Sequence, residues 1–142
     1  MEFRIIDKTS GEDKIFTNDR IAGFLELHLE HYGDKKEDIL KCIAYVFNKG
    51  GFIAVAIEDH ALIGATVLNE TGMDGYIPEN ILVYIAVDAS QRGKGVGKLL
   101  MQKALDHAKG SVALHVEADN PAKKLYERLG FTNKYLEMRL QR

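Results

Sequence analysis

The stretch Ile85-Ala86-Val87-Asp88-Ala89-Ser90-Gln91-Arg92-Gly93-Lys94-Gly95-Val96-Gly97-Lys98-Leu99-Leu100 passes from an apolar strand through a polar, glycine-rich turn into an amphipathic helix. Glycines at 93, 95 and 97 leave backbone N–H groups uncovered where the helix begins, and the helix dipole makes that place attractive to a phosphate. Arg92, Lys94 and Lys98 add positive charge. Behind the turn, Leu100, Ala104 and Ala108 stand four apart with Met101 and Leu105 beside them, so the helix has an apolar face to anchor it.

Two phosphate motifs fail on named residues. A nucleoside-triphosphate loop would need Gly at 92 and Ser or Thr at 99, where Arg92 and Leu99 stand. A dinucleotide fingerprint beginning at Gly93 would need its third glycine at 98, which is Lys98. A lone Gly-x-Gly is most often only a flexible turn. The strand before it and the helix after it are what give this one meaning.

Arg92-Gly93-Lys94-Gly95-Val96-Gly97 resembles the Arg/Gln-x-x-Gly-x-Gly/Ala pyrophosphate loop of the GNAT superfamily of acetyl-coenzyme A-dependent N-acetyltransferases. The resemblance implies that Ile85, Ala86 and Val87 meet the acetyl-pantetheine arm through backbone groups. It also implies that Arg92, Gly93, Lys94, Gly95, Val96, Gly97 and Lys98 hold the pyrophosphate.

A second segment, Leu114 to Phe131, is similar to the family's Asn…Leu-Tyr-Glu-x-x-Gly-Phe motif, here Asn120…Leu125-Tyr126-Glu127-Arg128-Leu129-Gly130-Phe131. Local physics makes Asn120 an N-cap followed by Pro121 in the first helical turn, with Gly130 closing the helix. The resemblance adds a contact from Asn120 to the pantetheine arm. Tyr126 shares helical spacing with Ala122, Leu125 and Leu129, which suits a core tyrosine; the motif adds the role of general acid to the departing thiolate.

An attacking amine must also lose a proton, and no single base stands out. His115 lies five residues before Asn120, where the similar ribosomal-protein N-terminal acetyltransferases carry a glutamate, and it reads equally as a half-buried structural histidine. Glu79, at the start of the central strand, could act through water, and Tyr84 is a further polar residue in that strand. Glu70, Asp74 and Glu79 make the preceding loop acidic, while His28, His31 and Tyr32 end the first helix. Cys42 sits on a helical apolar stripe and reads as a small core residue, so direct transfer is expected in preference to an acetyl-cysteine. Histidine, cysteine and acid spacing implies no metal site.

The rest of the chain reads as short elements. Strands are expected at Phe3–Ile6, Phe52–Ile57, Leu62–Leu68, Ile81–Val87, Val112–Val116 and Tyr135–Leu140. Helices are expected at Asp19–His31, Lys36–Asn48, Gly97–Lys109 and Pro121–Arg128. Together they predict an α/β (α+β) fold, a mixed and mostly antiparallel central sheet with helices on both faces, in one domain over residues 1–142.

Of the 142 residues, 28% are charged and 46% hydrophobic, the balance of a globular chain. A net charge of −2 with no basic field argues against a nucleic-acid partner. No apolar run reaches the roughly 20 residues that span a bilayer, so no membrane association is expected. A single cysteine and an N-terminal stretch without a secretion-signal pattern suit the cytoplasm. The expected partner is an amine acceptor, either a small molecule or a protein N-terminus or lysine, and a homodimer is compatible with this composition. A competing expectation from another class is a non-catalytic acyl-coenzyme A sensor that regulates a partner.

Overall fold

The computed structural model describes residues 1–142. Five strands form one sheet in the order β1-β2-β3-β4-β5, and they are β1 (Glu2–Ile6), β2 (Gly51–Glu58), β3 (Ala61–Glu70), β4 (Asn80–Val87) and β5 (Val112–Leu114). The first three pairings are antiparallel and β4 with β5 is parallel. Helices α1 (Asn18–Leu29) and α2 (Lys36–Asn48) pack on one face, while α3 (Val96–His107) and α4 (Ala122–Arg128) pack on the other. This is the mixed, mostly antiparallel sheet with helices on both faces that the sequence predicts.

Alternation along β2 builds the two cores. Ile53, Val55 and Ile57 face α1 and α2, where they meet Ile21, Leu25, Ile39, Ile43 and Val46; Phe52, Ala54 and Ala56 face α3 and meet Leu100, Met101 and Ala104. The β2–β3 link is a two-residue hairpin turn with Asp59 and His60 both at positive φ (51° and 64°), the conformation that matches strand twist. Thr17 caps α1, its side-chain oxygen accepting from the Arg20 N–H at 3.2 Å. Because Ile43 is fully buried, Ile43→Ala should cost about 2–5 kcal/mol, read from urea unfolding. A loss under about 0.5 kcal/mol would mean the α2 face is not packed as described.

Two features of β4 shape the site. Leu82 pairs with Leu68 and Tyr84 with Val67, so Val83 has no opposite residue on β3 and forms a bulge. On the other side β5 pairs only with Asn80, Ile81 and Leu82. From Val83 to Val87 that edge of β4 has no strand beside it, and the sheet opens into a cleft between β4 and β5.

Two sequence expectations are corrected. The strand expected over Val112–Val116 stops at Leu114, because pairing with β4 ends there. Tyr135–Leu140, expected as a strand, pairs with nothing: Tyr135, Leu136, Met138 and Leu140 are 79%, 84%, 92% and 78% exposed. Alternation marks a segment fit to be a strand, but a strand needs a neighbouring edge, and the sheet ends at β5.

Candidate active site

The β4 edge runs directly into the glycine turn. After Val87, a short 3₁₀ turn at Ala89–Gln91 leads to Gly93 and Gly95, both at φ 81°, and Gly95 occupies the N-cap position of α3 with left-handed φ and ψ. No side chain caps this helix, so the N–H groups of its first turn point outward without a protein acceptor. They face a cleft of about 260 Å³ lined by Val87, Gln91, Arg92, the glycines, Lys98, Leu125 and Arg128. Lys94 and Lys98 are exposed beside it. A negatively charged group such as a pyrophosphate fits this donor set, and an extended arm carrying amides fits the open backbone of Val83 to Val87.

Arg92 is engaged elsewhere. Its guanidinium donates to the His28 carbonyl at 2.7 Å and pairs with Glu30 at 3.2 Å. His28 in turn accepts from the Ala89 N–H through Nδ1 at 3.3 Å and brings Nε2 to 3.7 Å from Asp88. Ser90, bonded through its hydroxyl and its N–H, holds the Asp88 carboxyl below the usual range. The end of α1 is therefore clamped onto the turn that precedes the glycines. Glu30 lies at φ 56°, a backbone conformation non-glycine residues adopt at a cost. Just beyond, the Tyr32 hydroxyl donates to the Asp119 carbonyl at 3.2 Å, tying the same segment to the loop before α4. Neither Glu30 nor Arg128 was singled out by sequence; their approach depends on contacts between residues far apart in the chain.

The second motif is a helix packed against the α3 side of the sheet. Asn120 accepts the Ala122 N–H through its side-chain oxygen at 2.9 Å, the local cap that its sequence position predicts. Tyr126 is 7% exposed, with its ring edge-on to Phe131 at 6.0 Å. Burial raises its pKa above the ordinary value near 10, so the phenol stays protonated across the neutral range.

The candidate bases differ in their surroundings. His115 follows β5 directly and is exposed, which removes the half-buried structural reading. Glu79 accepts the Ser111 N–H at 2.8 Å, and a side chain on Gly110 would meet its carboxylate, so it braces the start of β5. Tyr84 is 8% exposed, and its hydroxyl donates to Asp34 at 2.5 Å; burial first and then this bond push its pKa far up. Burial likewise pushes the Cys42 thiol up to about 12, and its S–H donates to the Asn69 side-chain oxygen, so no thiolate nucleophile is available at neutral pH.

The family model for the acetyltransferase (GNAT) family matches residues 15–131, and the chain belongs to that family. N-alpha-acetyltransferase 30 of Schizosaccharomyces pombe is 32% identical over 85 residues, a match spanning 56% of this chain and 57% of that protein, so it reaches little more than half of the relative's length. Two solved structures share the fold. An aminoglycoside N-acetyltransferase, AAC(6')-Iy, in complex with CoA superposes with TM-score 0.70 at 17% identity over 99% of this chain and 93% of that one. A ribosomal-protein-alanine N-acetyltransferase from Brucella melitensis gives 0.66 at 15% over 99% and 97%. No helix here is long and apolar enough to cross a membrane.

Proposed function

We infer that this chain, acting as one domain over residues 1–142, transfers the acetyl group of acetyl-CoA to a primary amine of a small molecule or a protein. The observation that carries this reading is the continuity of the open β4 edge with the uncapped start of α3. An extended pantetheine arm suits the first and a pyrophosphate the second. The CoA complex of the AAC(6')-Iy structure and the name of the yeast relative support acetyl-CoA as donor and an amine as acceptor. On this reading Ile85, Ala86 and Val87 meet the arm, Arg92 to Lys98 and Arg128 the pyrophosphate, and Asn120 the arm from the opposite side. Acceptors are met in the cytoplasm, with neither nucleic acid nor membrane as partner.

The chemistry is a direct displacement. The amine nitrogen forms a bond to the thioester carbon as the carbon–sulfur bond breaks; the amine gives up one proton and the sulfur takes one. Backbone N–H groups of β4 polarise the carbonyl. Tyr126 supplies the proton to sulfur, and its raised pKa keeps that proton in place to high pH. His115, exposed and close in sequence to the second motif, receives the amine proton; Glu79, which accepts the Ser111 N–H, is the alternative base.

An amine panel of peptides, polyamines, amino acids and aminoglycosides, assayed for free-thiol release, tests the reading. Acceptor-dependent release is expected. Tight CoA binding without release for any acceptor would replace it by the non-catalytic sensor. For His115→Ala the expected result is loss of the rise in rate toward alkaline pH with unchanged cofactor affinity, and a preserved pH profile would pass the role to solvent or Glu79.

Arg92 adds a prediction of opposite sign. If the pyrophosphate must draw it from Glu30, Glu30→Gln removes a competitor, and CoA should bind more tightly. An exposed ion pair contributes at most about 1 kcal/mol, so the gain should be roughly two- to fivefold by calorimetry. Weaker binding would show that the Glu30 contact supports the site.

A further inference from the structure

Apart from two tyrosines, the buried polar residues are Thr66 and Asn80, at 0% and 3% exposure, and both act on β4. Asn80 fixes the start of that strand, its side-chain N–H groups donating to the Lys109 and Ser111 carbonyls at 2.7 and 3.3 Å. Thr66, in β3, donates its hydroxyl to the Tyr84 carbonyl at 2.8 Å, next to the bulge at Val83. Valine has the same shape, suits a strand as well and brings no polar atom into the core.

The register of the sheet gives the hydroxyl a task. The Asp88 N–H donates to the Ile63 carbonyl at 2.9 Å, which makes these two a hydrogen-bonded pair. Such pairs alternate along an antiparallel ladder, so Ala65 with Ala86 and Val67 with Tyr84 come next, and Ile85 and Val87 turn their N–H and C=O groups away from β3. On that side β5 pairs no further than Leu82, so these groups face the cleft. Across a trans peptide, the carbonyl of one residue and the N–H of the next point in opposite directions. Holding the Tyr84 carbonyl toward β3 therefore aims the Ile85 N–H into the cleft.

We propose that Thr66 is a positioning residue for acetyl transfer, holding the Tyr84–Ile85 peptide so that the Ile85 N–H donates to the thioester carbonyl. The proposal rests on the acetyltransferase reading above. This peptide is gripped from one side only: β5 gives it no neighbour, and the bulge interrupts the ladder directly before it. Asp34 holds the Tyr84 hydroxyl, at the far end of the side chain, and leaves the peptide plane to Thr66.

Thr66→Val and Thr66→Ser separate positioning from packing. Valine keeps the shape and loses the hydroxyl; serine keeps the hydroxyl and loses a buried methyl, so urea unfolding should find both variants folded and less stable than wild type. Turnover should part them. Thr66→Val should lower kcat about tenfold or more with CoA affinity within about twofold of wild type, whereas Thr66→Ser should stay within about threefold of the wild-type rate. The Ile85 amide resonance of the wild type gives a readout that needs no variant: it should shift further with acetyl-CoA than with CoA, and in Thr66→Val that difference should shrink. A wild-type kcat in Thr66→Val, a serine variant as slow as the valine one, or an Ile85 resonance that answers both ligands equally overturns the proposal and leaves the acetyltransferase reading standing. A wild type that binds no acetyl-CoA, or acetylates no amine, defeats that reading and the proposal with it.

Discussion

Replacing Gly95 by valine should weaken acetyl-CoA binding by about 100-fold or more while the protein stays folded. Gly95 sits at φ 81° and ψ 6° immediately before α3, where a β-branched residue is strained by about 1–2 kcal/mol. That is a minor part of the roughly 5–15 kcal/mol that holds a domain together, and no neighbouring atom lies within 4 Å of an added Cβ. The strain would be relieved by turning the backbone, which re-aims the first N–H groups of α3 away from the pyrophosphate. Hydrogen bonds to a charged group contribute about 1.5–3 kcal/mol each, so losing two accounts for the predicted effect. Calorimetric titration of a variant with wild-type circular dichroism decides the matter. Affinity within about twofold of wild type would remove the turn from the cofactor site.

Tyr126→Phe should lower turnover by roughly 10- to 1000-fold with cofactor affinity nearly unchanged. The ring, buried against Phe131 and the α3 side of the core, is retained, so only the hydroxyl is lost. Burial is the sole cause of its raised pKa, so no protein partner is left unsatisfied by the change. The sign of the pH dependence follows: a phenol held above its ordinary value near 10 stays protonated as pH rises, so the wild-type rate should not decline on the alkaline side before about pH 10. A variant turning over within about twofold of wild type, with the chemical step limiting and acceptor saturating, would leave Tyr126 a core residue.

The parts of the site legible in sequence are those made by neighbours in the chain. The glycine turn, the Asn120 cap and the boundaries of α2 depend on residues a few places apart, and local chemistry suffices to read them. What could not be read depends on register. Nothing within Asn80–Val87 announces that Val83 bulges or that β5 leaves β4 after Leu82; both follow from how separate strands meet. Arg92 finds Glu30 across 62 residues and Tyr84 finds Asp34 across 50, pairings that no local motif can announce. Tyr135–Leu140 shows the limit from the other side: its alternation is that of a strand, but pairing is a property of two segments.

Titration of CoA into the isotope-labelled protein, followed by backbone amide resonances, tests the central claim most directly. The account predicts the largest shifts at Val96, Gly97 and Lys98 in the first turn of α3 and along Val83 to Val87 of β4. Saturable binding that leaves both segments unmoved, or the absence of binding, would contradict it.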